Sequence, residues 1–113
     1  MKRTVKPPPH RNRQLILEAP LQTADGAGGF ITTWQALGVL WGAVALRSGR
    51  EGAGLSQTRL RITLRAAPVG SAMRPAPNQR LREGTRLYLI DSVHESDAGA
   101  RYLTCLAHEE VVT

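Results

Sequence analysis

Residues 28 to 51 read "GGFITTWQALGVLWGAVALRSGRE", and the fold depends on whether this stretch is helix or strand. Trp34, Leu37, Trp41 and Val44 fall at helical spacing, whereas Val39, Trp41, Ala43 and Ala45 fit the alternation of a strand. Composition favours the strand. Gly38 and Gly42 would each cost a helix interior about 1 kcal/mol relative to alanine. Thr32, Thr33 and Val39 are β-branched and add smaller penalties. The stretch therefore reads as a strand over 30–35, a turn near Leu37-Gly38, and a second strand over 39–46. Trp34 and Trp41 are read as packing anchors, so truncating either to alanine is expected to cost about 3–5 kcal/mol.

Upstream, "RQLILEAP" (13–20) is a short apolar run closed by Pro20. It is separated from "FITTW" by "QTADGAGG" (22–29), whose Asp25-Gly26 and Gly28-Gly29 pairs favour turns. The two runs form a hairpin. Downstream, "RSGREGAGLSQ" (47–57) is rich in glycine and charge and is expected to be a long exposed loop. The clearest element follows it: in "TRLRITLR" (58–65) Leu60, Ile62 and Leu64 share one face and Arg59, Arg61, Thr63 and Arg65 the other. Beyond the Pro/Gly loop "AAPVGSAMRPAPNQ" (66–79), "RLREGTRLYLIDSV" contains a short strand, a turn at Glu83-Gly84 and a longer strand. "HESDAGA" is turn material and "RYLTCLAHEEV" the last strand. Six or seven short strands without a convincing helix predict an all-β fold, a small antiparallel barrel or sandwich.

The chain has 113 residues, enough for one domain that buries about 65% of its unfolded surface without metal or disulfide. Residues 1–12, with Lys2, Lys6 and the run Pro7-Pro8-Pro9, are expected to form a flexible basic arm. Residues 13–113 are then a single β-barrel domain. The lone Cys105 sits between Leu103 and Leu106 and reads as a packed thiol. No apolar segment follows the basic N-terminus, and the longest charge-free apolar stretch, 36–46, is too short for a bilayer about 30 Å thick. A soluble protein made in the cytoplasm, with no membrane partner, is expected.

Fifteen Lys and Arg against nine Asp and Glu leave a formal charge of +6, almost all of it arginine. Arginine favours planar phosphate and carboxylate partners. The charge is spread along the chain rather than gathered in one tail. His10, His94 and His108 lack metal-ligand spacing, and no nucleophile elbow, phosphate loop or dinucleotide fingerprint is present. No catalytic residue, cofactor or metal is expected, and the protein is not read as an enzyme. The candidate surface is instead the loop and basic face: Arg47, Ser48, Gly49, Arg50, Glu51, Arg59, Arg61 and Arg65. The candidate core is Trp34, Trp41, Leu60, Ile62 and Leu64.

In order and spacing, "RNRQLILEAP", "GGFITTW", "VLWGAVALRSGRE", the alternating "RITLR", "SAMRPAPNQRLREG", "RLYLIDSV" and "RYLTCLAHEEV" resemble the head–tail joining proteins of tailed phages. The likeness is to their head-closure or stopper branch and to the equivalent neck proteins of gene transfer agents. It covers about residues 11 to 112. It implies a small β-barrel that assembles as a homo-oligomeric ring beneath the portal–adaptor complex in the virion neck. There it would retain packaged double-stranded DNA in the channel and offer a docking surface to tail terminator and other tail proteins. It implies no enzymatic activity and no cofactor. One departure stands out: relatives often carry a short Ala/Gln-rich helix after Ser48-Gly49-Arg50-Glu51, where this chain has "GAGLSQ". The alternative from the residues alone is a small OB- or SH3-like nucleic-acid-binding module, with the tryptophans as a stacking platform.

Overall fold

In the computed structural model, residues 13–52, 55–96, 99 and 101–110 are described, with side chains of 48–52 and 55–57 excepted. The expected N-terminal arm, 1–12, lies outside them. Six strands make up the fold: β1 (Arg13–Ala24), β2 (Phe30–Gly52), β3 (Leu55–Arg65), β4 (Arg80–Glu83), β5 (Arg86–Glu95) and β6 (Tyr102–Glu110). They close into an antiparallel barrel in the order β1-β2-β3-β6-β5-β4.

Phe30–Gly52 is one strand of 23 residues. No turn interrupts it at Leu37-Gly38. The pairing with β1 instead slips by one residue there, with Leu17 opposite Gly38 and Glu18 opposite Ala36, leaving Leu37 as a β-bulge. A bulge bends a strand without ending it, and that bend lets one strand serve two neighbours. β2 pairs with β1 over Phe30–Gly42 and with β3 over Gly42–Gly52.

Gly42, where β2 changes partners, is fitted to its surroundings. A Cβ there would lie 2.5 Å from Leu64 Cδ2, 2.9 Å from the Thr63 carbonyl oxygen and 3.3 Å from Leu15 Cδ1. Gly38 performs a similar service for the 66–79 loop, since its missing Cβ leaves room for the Met73 thioether. The loop is tied down by main-chain bonds: Asn78 N–H donates to the Ile90 carbonyl at 3.0 Å and Ile90 N–H to that of Gln79 at 2.9 Å. These glycines are in strand for steric reasons that propensity does not register.

Of the segment expected as an exposed loop, 47–57, the described residues are also strand. Arg47–Gly52 continue β2, and Leu55–Gln57 begin β3, paired from Ser48↔Arg59 to Gly52↔Leu55 after a second bulge between Leu46 and Ser48. Its composition misled because a hairpin beyond the barrel has no apolar face to bury, so its sequence carries no periodicity.

The core is built by alternation. Leu15, Leu17, Ile62, Leu64, Leu81, Leu103 and Cys105 are fully buried, with Tyr88, Ile90 and Leu60 nearly so. Burial pushes the Cys105 thiol up to about 12, so it packs as an inert apolar group.

The barrel closes on its shortest strand. β4 has four residues and meets β1 through three pairs, Ile16↔Arg82, Leu17↔Leu81 and Glu18↔Arg80. Charge reinforces this seam. Glu18, only 5% exposed, accepts from Arg80 Nε at 2.6 Å and Arg82 Nε at 3.0 Å. Arg13 makes a two-pronged ion pair with Glu83, which also accepts from the Tyr88 hydroxyl at 2.7 Å. Such forked pairs fix geometry as well as charge.

Both ends of β2 run past the barrel. β1 and β2 remain paired from Ala19↔Gln35 to Ala24↔Phe30, six pairs beyond the last β1–β4 contact. The turn at the tip is set by Asp25, whose Oδ1 accepts from the N–H groups of Ala27 and Gly29 at 2.7 and 3.0 Å. Gly26 and Gly28 hold φ of 82° and 88° there, the region open to glycine. The second hairpin extends β2 and β3 the other way. The molecule measures 67 × 37 × 25 Å, with a radius of gyration of 16.1 Å, against about 13 Å for a compact domain of this length.

Candidate assembly surface

Alternation along β3 turns Arg59, Arg61 and Arg65 outward, and all three are exposed. Arg47, at the second bulge of β2, is exposed as well. Arg61, Arg65 and Arg47 make no ion pair among the described residues. Arg47 and Arg59 line a shallow cleft of about 380 Å³ with Asp91, Ser92, Leu106 and His108. Within it His108 Nδ1 lies 2.9 Å from Asp91 Oδ2. The structure thus brings Arg47 and Arg59 together and sets Arg61 and Arg65 farther along the same outer wall. Ser48, Gly49, Arg50 and Glu51 have their backbone in β2 and their side chains outside the described residues.

The two tryptophans differ in role. Trp34 lies on the first hairpin, half-buried, with the Arg80 guanidinium carbon 4.1 Å from its ring centroid. Arg80 is in turn held by Glu18, so the ring caps the charged seam rather than filling the core. One face of the ring is thus occupied by a cation. Trp41 corrects the core assignment more sharply. It pairs with exposed Gln14 on the outer wall and is itself 56% exposed. The physical reason is parity: Leu40, opposite Leu15, points inward, so its neighbour points out. Trp41→Ala is accordingly expected to cost about 1 kcal/mol or less, near the range of surface substitutions, rather than the loss typical of a buried tryptophan. Denaturant unfolding of the purified variant measures it. Leu60, Ile62 and Leu64 line the interior.

The apolar side chains of the first hairpin were not singled out by sequence reasoning. Phe30 is 70% exposed, and Leu21 and Ile31 are each about half exposed. Val39 is exposed beside Trp41 on the wall, and Leu46 near the root of the second hairpin. A two-stranded ribbon beyond a barrel has solvent on both faces, so its β-branched and aromatic residues look in sequence like any core strand. An apolar run next to a Gly-rich turn was the available signal.

Carboxylates on the barrel serve structure. The arginine partners of Glu18, Glu83 and Glu109 hold these carboxyls below the usual range, although burial opposes the effect. For Glu18 burial is the largest single influence, and the hydrogen bonds from Arg80 and Arg82 together outweigh it. Tyr88 is pushed up to about 12 by burial and by its bond to Glu83. A second shallow depression, of about 690 Å³, is lined by Arg80, Arg82, Arg86 and Glu109, with Arg86 and Glu109 joined by two bonds of 2.7 Å. Among the described residues no cluster of three His, Cys, Asp or Glu side chains could hold a metal, and no helix is long and apolar enough to cross a membrane. What the surface offers is an exposed apolar ribbon, an arginine-bearing wall and a second projecting hairpin.

Comparison with known families decides the class. The family model described as phage head completion protein matches residues 6–110. The chain belongs to the phage head completion protein family. A chain in the virion structure of a native gene transfer agent particle is 47% identical, with a TM-score of 0.80. The match covers 94% of this chain and all of that one. The solution structure of protein SF1141 from Shigella flexneri 2a shares the fold, with 24% identity and a TM-score of 0.65 over 93% of this chain and 98% of that one. No curated protein sequence matches. This head completion protein is a structural head or neck component of phage-like particles, with the expected β-barrel built as a single six-stranded ring.

Proposed function

We infer that this head completion protein closes the filled head. Copies assemble into a ring beneath the portal–adaptor complex, retain the packaged DNA and present the surface on which the tail docks. The observation that carries this reading, alongside family membership, is β2. One strand of 23 residues bears a hairpin beyond each end of the barrel, so each subunit reaches past its own wall in two directions. A ring subunit needs such reach: toward its neighbours, and toward the components above, below or inside the ring. The second hairpin, with Arg50 and Glu51 near its tip, is the segment we assign to the channel or the adaptor above. The outward Arg59, Arg61 and Arg65 are assigned to protein contacts or to the passing duplex, where arginine suits both carboxylate and phosphate.

Electron microscopy of particles produced with the gene deleted tests this reading. The expected result is full or leaked heads separated from intact tails. Normal numbers of tailed, DNA-filled particles would overturn it.

A further inference from the structure

The first hairpin and the outer wall of the barrel complement one another. From Ala19 to Gln35 the chain has no lysine or arginine, and its one charge is Asp25, in a protein of net charge +6. Asp25 sits fully exposed at the tip, and its bonds from the Ala27 and Gly29 N–H groups favour the ionised form. Behind it Leu21, Phe30 and Ile31 stand in solvent. The wall has the opposite charge and a matching apolar surface. Val39 and Trp41 are exposed there. Arg61 pairs in register with Ala45, and Arg65 lies one position past the Gly42↔Leu64 pair, level with Trp41. Neither arginine has an ion-pair partner among the described residues. The strand edge beside this patch is also unpaired: over Phe30–Trp41, β2 has β1 on one side and no paired strand on the other among the described residues. Unpaired edges of this kind are templates for another chain.

We propose that the occupant of this wall is the first hairpin of a second copy of the same chain. The hairpin's apolar ribbon packs on Val39 and Trp41, with its acidic tip toward Arg61 and Arg65. Patch and socket are different surfaces of one subunit, the first built by β1 and β2 and the second by β2 and β3. Their union is therefore heterologous, head to tail, the type of contact that closes into a ring when the rotation permits. A self-complementary patch would stop at a dimer. Because the hairpin is held at its root by the Trp34–Arg80–Glu18 stack, it is presented in a set direction and loses little freedom on docking. This inference rests on the ring reading above and names the contact that builds the ring.

The test uses thiols placed at Ile31 on the hairpin and Val39 on the wall, in whole particles. Cys105 is fully buried and silent to the reagent. Particles carrying Ile31→Cys, Val39→Cys or both are treated with a short bifunctional thiol cross-linker and separated under denaturing conditions, and their necks are imaged. The expected result is a ladder at multiples of 12.3 kDa from the double variant, ending at the closed ring, and loss of that ladder in either single variant. Dimers from the Ile31→Cys variant alone would show hairpin meeting hairpin and overturn the proposal. A neck ring visible by microscopy with no ladder would overturn the proposed contact while leaving the ring reading intact. Cross-links from Ile31 to a different particle protein would also overturn it. Absence of any ring density in the neck would overturn the ring reading and this contact together.

Discussion

Replacing Glu18 with alanine is expected to destabilise the folded protein by about 3–5 kcal/mol, the cost of leaving partly buried cations without their counter-charge. Glu18 is 5% exposed and receives both Arg80 and Arg82. It lies where β1 meets β4 through just three residue pairs, so few other contacts can compensate at that seam. Arg80 also anchors the Trp34 ring, and tryptophan fluorescence will report loosening at the root of the first hairpin along with the change in stability. Glu18→Gln keeps the shape but not the charge and should recover only part of the loss. The same carboxylate sets an acid limit. Its folded pKa lies below the unfolded value, so its contribution is complete above the unfolded value of about 4.3. It is lost as pH falls through the lower folded value. Glu83 and Glu109 act in the same direction. Stability measured from pH 6 to pH 2 should fall below about pH 4, and Glu18→Gln should flatten that fall. A wild-type slope in Glu18→Gln would show that this carboxylate does not act through its charge.

The second large effect concerns Leu64. It is fully buried and its Cδ2 occupies the space a Cβ on Gly42 would need, at 2.5 Å. Leu64→Ala is expected to cost about 2–5 kcal/mol through lost burial and a residual cavity. Gly42→Ala alone is expected to cost about 1–3 kcal/mol by overpacking. Together they should cost less than their sum, with a coupling of about 0.5–3 kcal/mol, because removing the leucine branches makes room for the new methyl. Relief will be incomplete, since the Thr63 carbonyl oxygen stands 2.9 Å from the same Cβ position and does not leave with the side chain. A denaturant double-mutant cycle reads the coupling directly. Strict additivity would mean that the Leu64 side chain does not limit the space at Gly42.

The elements of the barrel were legible wherever one face of a strand is buried. The alternation of Leu60, Ile62 and Leu64 with Arg59, Arg61 and Arg65 identified β3 and the side of it that faces inward, because a period of two is imposed by the backbone itself. The Asp25–Gly29 turn was legible for an equally local reason, a carboxylate able to bond two N–H groups next to glycines free to take positive φ. The ordered series of strand and turn motifs was enough to indicate the family, since family likeness resides in the chain order of such elements.

The continuity of β2 was not legible. Gly38 and Gly42 look like breaks by propensity, yet each packs against a side chain distant in sequence, Met73 for one and Leu64 for the other. Nor could alternation alone separate Trp41 from the core, because a single bulge at Leu37 reverses which residues face inward. The clamp of Glu18 by Arg80 and Arg82 joins residues more than sixty positions apart and has no local signature. The sequence by itself determined the strands that bury one face, the inner and outer faces of β3, and the family. Tertiary structure alone decided where the barrel closes and how far its hairpins reach, and therefore which apolar residues remain in water. Those outcomes depend on contacts between distant segments, and no local pattern encodes them.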